Sequence, residues 1–220
     1  MRALVIGASG GIGSALCAAL QAQGAEVTAL SRSQDGLDVT DAESVAQHLG
    51  ALEGPFHRVL VVTGALEIDG MGPEKALKHL EPEAMLAQFK LNAMGPALVL
   101  RHAADLLARD EPAVLGVMSA RVGSIGDNRA GGWHSYRAAK AALNQFLRGA
   151  AIELGRTHKQ TICVALHPGT VQTDLTRKYL GRHPAVPPAE AADNLLRVID
   201  GLRPEDSGGF FDWAGKPIPW

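Results

Sequence analysis

Ala3-Leu4-Val5-Ile6-Gly7-Ala8-Ser9-Gly10-Gly11-Ile12-Gly13 lies at the start of the chain, and the change of pattern within it decides the fold. Four consecutive apolar residues bounded by a glycine read as a short buried strand. Beyond the glycines, Ile12, Leu16, Ala19 and Leu20 recur at helical spacing. The stretch is therefore strand, tight turn, helix. Glycines at such a junction let the backbone approach a pyrophosphate seated at the positive N-terminus of the helix. Gly7, Ser9, Gly10, Gly11, Ile12 and Gly13 are the candidates for that contact. A turn that serves only helix–sheet packing carries the same letters, so the position at the first strand–helix junction matters more than the motif.

Working outward, Glu26 to Leu30 and Val59 to Val62 read as further strands, with a helix between them opened by a capping box at Thr40-x-x-Glu43. Helices fill 82 to 109. Strand-like runs at Val114 to Met118 and Thr161 to Leu166 flank a long helical pattern from about Ser135 to Leu154. Pro184, Pro187 and Pro188 mark a loop before a helix around 189 to 201, and Phe210-Phe211 ends the series as a last short strand. Non-alternating strands separated by amphipathic helices imply a parallel sheet covered on both faces. The expected architecture is an α/β doubly wound, Rossmann-like sheet in three layers, with residues 1–220 as a single domain.

Composition narrows the function. The 220 residues are 46% hydrophobic and 20% charged, an ordinary globular balance with length enough for a large core. A formal charge of −2 without long charge runs gives no nucleic-acid footprint and points to a small-molecule partner. No apolar stretch reaches the roughly 18 residues of a membrane span. Cys17 and Cys163 sit in apolar runs without metal-ligand spacing, and the eight histidines form no H-E-x-x-H cluster, so no catalytic metal is expected. Free buried thiols and no signal-peptide core suggest a reducing, cytoplasmic location.

After the second strand, where an acidic residue commonly meets the ribose hydroxyls of NAD, this chain has Ser31-Arg32-Ser33. A guanidinium there can pair with a 2′-phosphate, which favours NADP(H) over NAD(H). NAD(H) stays open, because Arg32 can equally be a solvated turn residue. On the long helix, Tyr136-Arg137-Ala138-Ala139-Lys140 places Tyr136 and Lys140 on one face. Free tyrosine ionises near pH 10, so it shuttles protons at neutral pH only with positive charge nearby, which Lys140 and an oxidised nicotinamide would supply. Alone the pair is weak, since a tyrosine packed on a lysine stem explains it too. Its company is Ser119 at a strand end, Asn92 on an earlier helix, and His167-Pro168-Gly169-Thr170-Val171 after the next strand.

In order and spacing these elements resemble the Asn-Ser-Tyr-Lys tetrad of the short-chain dehydrogenase/reductases, over nearly the whole chain, and the spacing Gly7-x-x-x-Gly11-x-Gly13 is similar to that family's turn. The stretch from Ser119 to Asn128, followed by Gly131-Gly132-Trp133-His134-Ser135-Tyr136, looks like the C-factor-like, carbonyl-reductase-like branch. The resemblance implies hydride transfer between NADPH and a carbonyl or secondary alcohol. In it Tyr136 is the general acid/base, Ser119 holds the carbonyl oxygen, Lys140 binds the nicotinamide ribose, and Asn92 supports a water-linked proton path. Asp38 and Val39 would meet the adenine, while Pro168, Gly169, Val171 and Thr173 would line the nicotinamide side. A homodimer or homotetramer through the helices bearing Asn92 and Tyr136 is a further implication.

The chain departs from the family at two places. The family often has two serines, the second catalytic, where this chain has Ser119-Ala120, which leaves Ser119 with Ser124 in reserve. The usual Asn-Asn-Ala-Gly reads Val62-Thr63-Gly64-Ala65, where the Thr63 hydroxyl, beside Gly64, could substitute. Trp133, three residues before Tyr136, could border the pocket, and the 121 to 134 and 174 to 188 segments would shape it. The competing class is a dinucleotide-binding signalling or sensor protein with little turnover. A sugar-nucleotide epimerase or dehydratase ranks last, for want of a second domain.

Overall fold

In a computed structural model that describes residues 1–180 and 184–220, the chain builds one six-stranded sheet, entirely parallel, in the order β2-β1-β3-β4-β5-β6. The strands are β1 Arg2–Ile6, β2 Glu26–Leu30, β3 Arg58–Val61, β4 Ala113–Met118, β5 Thr161–His167 and β6 Phe210–Asp212. The helices are α1 Gly11–Ala22, the single turn α2 Arg32–Asp35, α3 Ala42–Gly50, α4 Pro82–Phe89, α5 Gly95–Leu100, α6 Ala103–Leu106, α7 His134–Leu154 and α8 Pro188–Gly201. A π-helical turn, Lys90–Met94, joins α4 to α5.

Strand alternation sorts the side chains into two cores. Ala3, Val5, Leu60, Val164 and Leu166 face α1 and α8, packing on Leu16, Leu20, Leu195 and Ile199. Leu4, Ile6, Val59, Val61, Leu115, Val117, Cys163 and Ala165 face the other way, onto Val45, Val99, Leu143 and Leu147. Burial of both faces is why the strands read as continuous apolar runs rather than alternating ones.

The register puts all the carboxyl ends on one edge: Ile6 lies opposite Leu30 and Val61, Val61 opposite Val117, Met118 opposite Leu166, and His167 opposite Asp212. β1 has β2 on one side and β3 on the other, so the connections leaving β1 and β3 diverge there and open the crevice in which such sheets bind ligands.

One local expectation is corrected. Thr40 does not cap α3. Its amide and hydroxyl bond Asp38 Oδ1 at 2.8 and 2.7 Å, and the cap is Asp41, whose carboxylate accepts the Glu43 amide at 3.0 Å. An aspartate adjacent to the helix outcompetes a threonine one residue further out.

Candidate functional site

The glycine turn stands where β1 ends. Gly7 N and Ala8 N donate to Leu30 O at 2.8 and 3.1 Å, which ties the turn to β2. Gly7 needs its glycine: φ is +95°, and a Cβ would lie 3.0 Å from Val62 C. At Gly13 a Cβ would come within 2.2 Å of Gly7 O, so the first turn of α1 packs on the loop with no room for a methyl group. Gly11 faces Thr173, whose Cγ2 would be 2.9 Å from an added Cβ. The structure thus seats Thr173 over the turn.

Beyond β2, Ser31 is buried and committed. Its amide and hydroxyl reach Asp35 Oδ2 at 2.7 and 3.2 Å, and Oγ accepts the Gln34 amide at 3.3 Å. Arg32 beside it is exposed. The Asp38 carboxyl is held below its ordinary range, chiefly by the Thr40 hydroxyl and amide. Val39 is buried against Gly95.

Asn92, Ser119, Tyr136 and Lys140, the residues expected to form a tetrad, occupy the same carboxyl edge. The π-helical turn carries Asn92, which is wholly buried. Its Oδ1 accepts the Ala65 amide at 3.1 Å, and its Nδ2 donates to Ala65 O at 2.9 Å and to Gln88 Oε1 at 2.7 Å. Gly64 lies between Asn92 and Lys140: a Cβ there would stand 2.8 Å from Asn92 Oδ1 and 3.4 Å from Lys140 Nζ. Lys140 donates to Met118 O at 3.0 Å, and its Nζ is 5.9 Å from the Tyr136 ring centroid. Burial lowers the Lys140 ammonium to about 8 and pushes the Tyr136 hydroxyl well above its ordinary value, so at neutral pH Tyr136 holds its proton. The 3₁₀ turn Arg121–Gly123 rests on α7 at this point, leaving 2.7 Å between Lys140 Cβ and a Cβ built on Gly123.

Neither serine has a free hydroxyl. Ser119 continues the side of β4 that faces α7 and donates to Asn144 Oδ1 at 2.6 Å. Ser124 donates to Pro219 O and accepts the Asp127 amide at 3.0 Å. Trp133 lies edge-on to Tyr136, centroids 6.4 Å apart at 72°. Thr63 Oγ1 and His167 Nδ1 are buried polar atoms without partners among the described residues. Gly169, at φ +78°, sits against Trp213, whose Cδ1 would be 2.9 Å from an added Cβ. Of the segment 174–188, residues 181–183 lie outside the described residues. Around them Val186 bridges back to Val171, and Lys178 Nζ reaches Glu67 Oε2 at 2.6 Å. Trp213 and Asn144 carry no sequence signal, because each acts through a contact distant along the chain.

A family model described as short chain dehydrogenase matches residues 1–182. The chain belongs to the short-chain dehydrogenase family. It is 33% identical to the 1-hydroxy-2-glutathionyl-2-methyl-3-butene dehydrogenase of Rhodococcus sp. (strain AD45), across 99% of this chain and 98% of that one. It is 37% identical to the C-signal protein of Myxococcus xanthus, over 66% of this chain and 84% of the relative. Among solved structures, a short-chain dehydrogenase/reductase of Burkholderia multivorans with bound NADP superposes with a TM-score of 0.80 at 25% identity, covering 100% of this chain and 99% of the other.

Proposed function

We propose that the chain is an NADP(H)-preferring oxidoreductase that interconverts a small carbonyl compound and the corresponding secondary alcohol. One observation carries this reading: a buried Tyr136 has the Lys140 Nζ 5.9 Å from its ring, and Lys140 shares Gly64 with Asn92, at the carboxyl edge where the glycine turn opens. Bound NADP(H) would supply or accept the hydride.

The residues present fit that group. Gly10 and Gly11 present backbone without side chains of their own to a pyrophosphate, with Thr173 beside them, Thr63 next to Gly7 has a hydroxyl without a partner among the described residues, and exposed Arg32 is available to a 2′-phosphate. Ser31 contributes by shaping α2, since its own donors are taken by Asp35. Asp38 and Val39 would border the adenine. Thr63 and Gly64 would border the ribose beside it, and Pro168, Gly169, Val171 and Thr173 the nicotinamide. In the reductive direction Tyr136 gives its proton to the developing alkoxide, and in the oxidative direction it takes the proton back. Lys140 lowers the cost of the phenolate and binds the nicotinamide ribose, while Asn92 fixes the Ala65 backbone and supports a water-linked proton path. Ser119 holds the carbonyl oxygen only by releasing Asn144.

The protein would act as a homodimer or homotetramer through α7, which bears Tyr136, and the helical run from α4 through the π turn that bears Asn92, where Leu86 is 70% exposed and Phe89 and Phe146 are 43% exposed. Unpaired Cys17 and Cys163 suit a reducing, cytoplasmic setting.

The test is absorbance-monitored oxidation of NADPH and NADH against a panel of aldehydes, ketones and diketones. NADPH-dependent turnover lost in Tyr136→Phe, and weakened for NADPH alone in Arg32→Ala, is the expected result. Cofactor binding without turnover across the panel would point to a sensor instead.

A further inference from the structure

The chain reaches α7 through Gly131, Gly132 and Trp133, all left-handed, at φ of 62°, 63° and 52°. Glycine accepts this conformation freely and tryptophan does not, so Trp133 stays there only because something holds it. Helix α7 also begins with amides that have no partner within the helix, and its N-cap residue, Trp133, supplies no side-chain cap. Both needs are met by Glu74, in the segment between β3 and α4 and only 7% exposed. Its Oε2 accepts the Ser135 amide at 3.1 Å, its Oε1 accepts the Ser135 hydroxyl, and its main-chain oxygen accepts the Trp133 amide at 2.5 Å.

We infer that Glu74 is a positioning residue for Tyr136, a cap supplied from 61 residues upstream of Ser135 that sets the first turn of α7. This rests on the reading of Tyr136 as the acid/base. The carboxylate is desolvated, which by itself raises its pKa, yet the Ser135 hydroxyl, the local amides and His134 outweigh burial and hold it below its ordinary range. It is therefore an anion at the positive end of a 21-residue helix at neutral pH. On the opposite side, Arg137 Nε donates to Gly132 O at 2.9 Å and its Nη1 to Val122 O at 3.1 Å. Tyr136 is thus flanked by two anchored neighbours, one tied to each bordering loop, and Trp133 is fixed edge-on to its ring. The rest of α7 does not depend on this cap, because Leu143, Leu147 and Ala151 lock it into the core. Loss of Glu74 frays only the turn that carries Tyr136.

The experiment compares Glu74→Ala and Glu74→Gln with the unmodified protein and Tyr136→Phe, using the carbonyl compound of the panel that turns over fastest. Circular dichroism and NADPH binding report on folding. Glu74→Ala should lower kcat by roughly 10²-fold, the cost of misplacing a reacting group by about 1 Å, with KM for NADPH within about twofold. Glu74→Gln, which keeps an acceptor for the Ser135 amide, should fall between the two. Glu74→Gln should lose less kcat towards acid pH than the unmodified protein, because it keeps the acid titration of His167 but not the proton uptake of Glu74. If Glu74→Ala does not fold, the kcat and pH profile of Glu74→Gln carry the test. A Glu74→Ala protein that keeps kcat within about threefold overturns the inference. So does a Glu74→Gln protein as impaired as the alanine variant, or one with the same acid limb as the unmodified chain. Absence of turnover in the unmodified protein, or an active Tyr136→Phe, removes the reading of Tyr136 and this inference with it.

Discussion

Replacing Gly13 by alanine tests the packing on which the whole glycine turn depends. The new Cβ would stand 2.2 Å from Gly7 O, 2.9 Å from Gly7 C and 2.9 Å from Ala8 Cα, whereas ordinary contact begins at 3.4 Å, a shortfall of about 1.2 Å at the closest point. All three atoms belong to the backbone, so no side chain can swing aside. Either α1 moves away from Leu60 and Leu195 in its core, or the turn gives up its bonds to Leu30. Inserting one methyl group into a close-packed site costs about 1–3 kcal/mol, and an immovable backbone puts this case near 3 kcal/mol. For a chain of this size that corresponds to a melting temperature lower by about 6–12 °C. Gly10→Ala is the internal control: its backbone is at φ −74°, and a Cβ would lie 3.4 Å from Gly7 O, an ordinary contact. Urea and thermal unfolding should show Gly13→Ala strongly destabilised and Gly10→Ala nearly unchanged, with NADPH binding weakened in both. A Gly13→Ala protein as stable as the control would refute the reasoning.

Three further outcomes are expected. Because burial lowers Lys140 to about 8, the unfolded chain between pH 8 and 10 holds a proton that the native chain has released, and stability rises with pH there. Lys140→Met should flatten that rise in urea unfolding followed across pH, and equal slopes for the two proteins would count against a buried ammonium. His167 is lowered to about 4, by burial first and Arg121 next, with Asp212 opposing, so stability falls as pH drops from the ordinary histidine range towards 4. His167→Gln should make the acid limb shallower. Asn92→Ala strands the Ala65 amide and carbonyl and Gln88 Oε1, and should cost about 3 kcal/mol by chemical denaturation. A loss below about 1 kcal/mol would mean that water replaces the amide.

Much of this protein is written locally. The strand–turn–helix at Ala3 to Gly13, the central strands and the long helix follow from runs of apolar residues and from glycine and proline, because a strand buried on both faces must be apolar throughout and an amphipathic helix must repeat every three to four residues; the edge strand β2, Glu26–Leu30, is only half-buried and carries Glu26 and Thr28. Tyr136 and Lys140 were legible as a pair for the same reason, since helical spacing alone puts them side by side.

What the sequence left open are relations between distant segments. Ser119 and Ser124 are equivalent as letters; only the pleat of β4 turns Ser119 towards Asn144, and only the return of the chain brings Pro219 to Ser124. Ser31 looks available to a ligand until α2 folds Asp35 back onto it. Nothing near Glu74 along the chain announces Ser135, 61 residues away. Periodicity reports which side of an element is buried, through solvation, which acts residue by residue. A hydrogen bond needs two groups at one place, and only the tertiary structure decides which groups meet there.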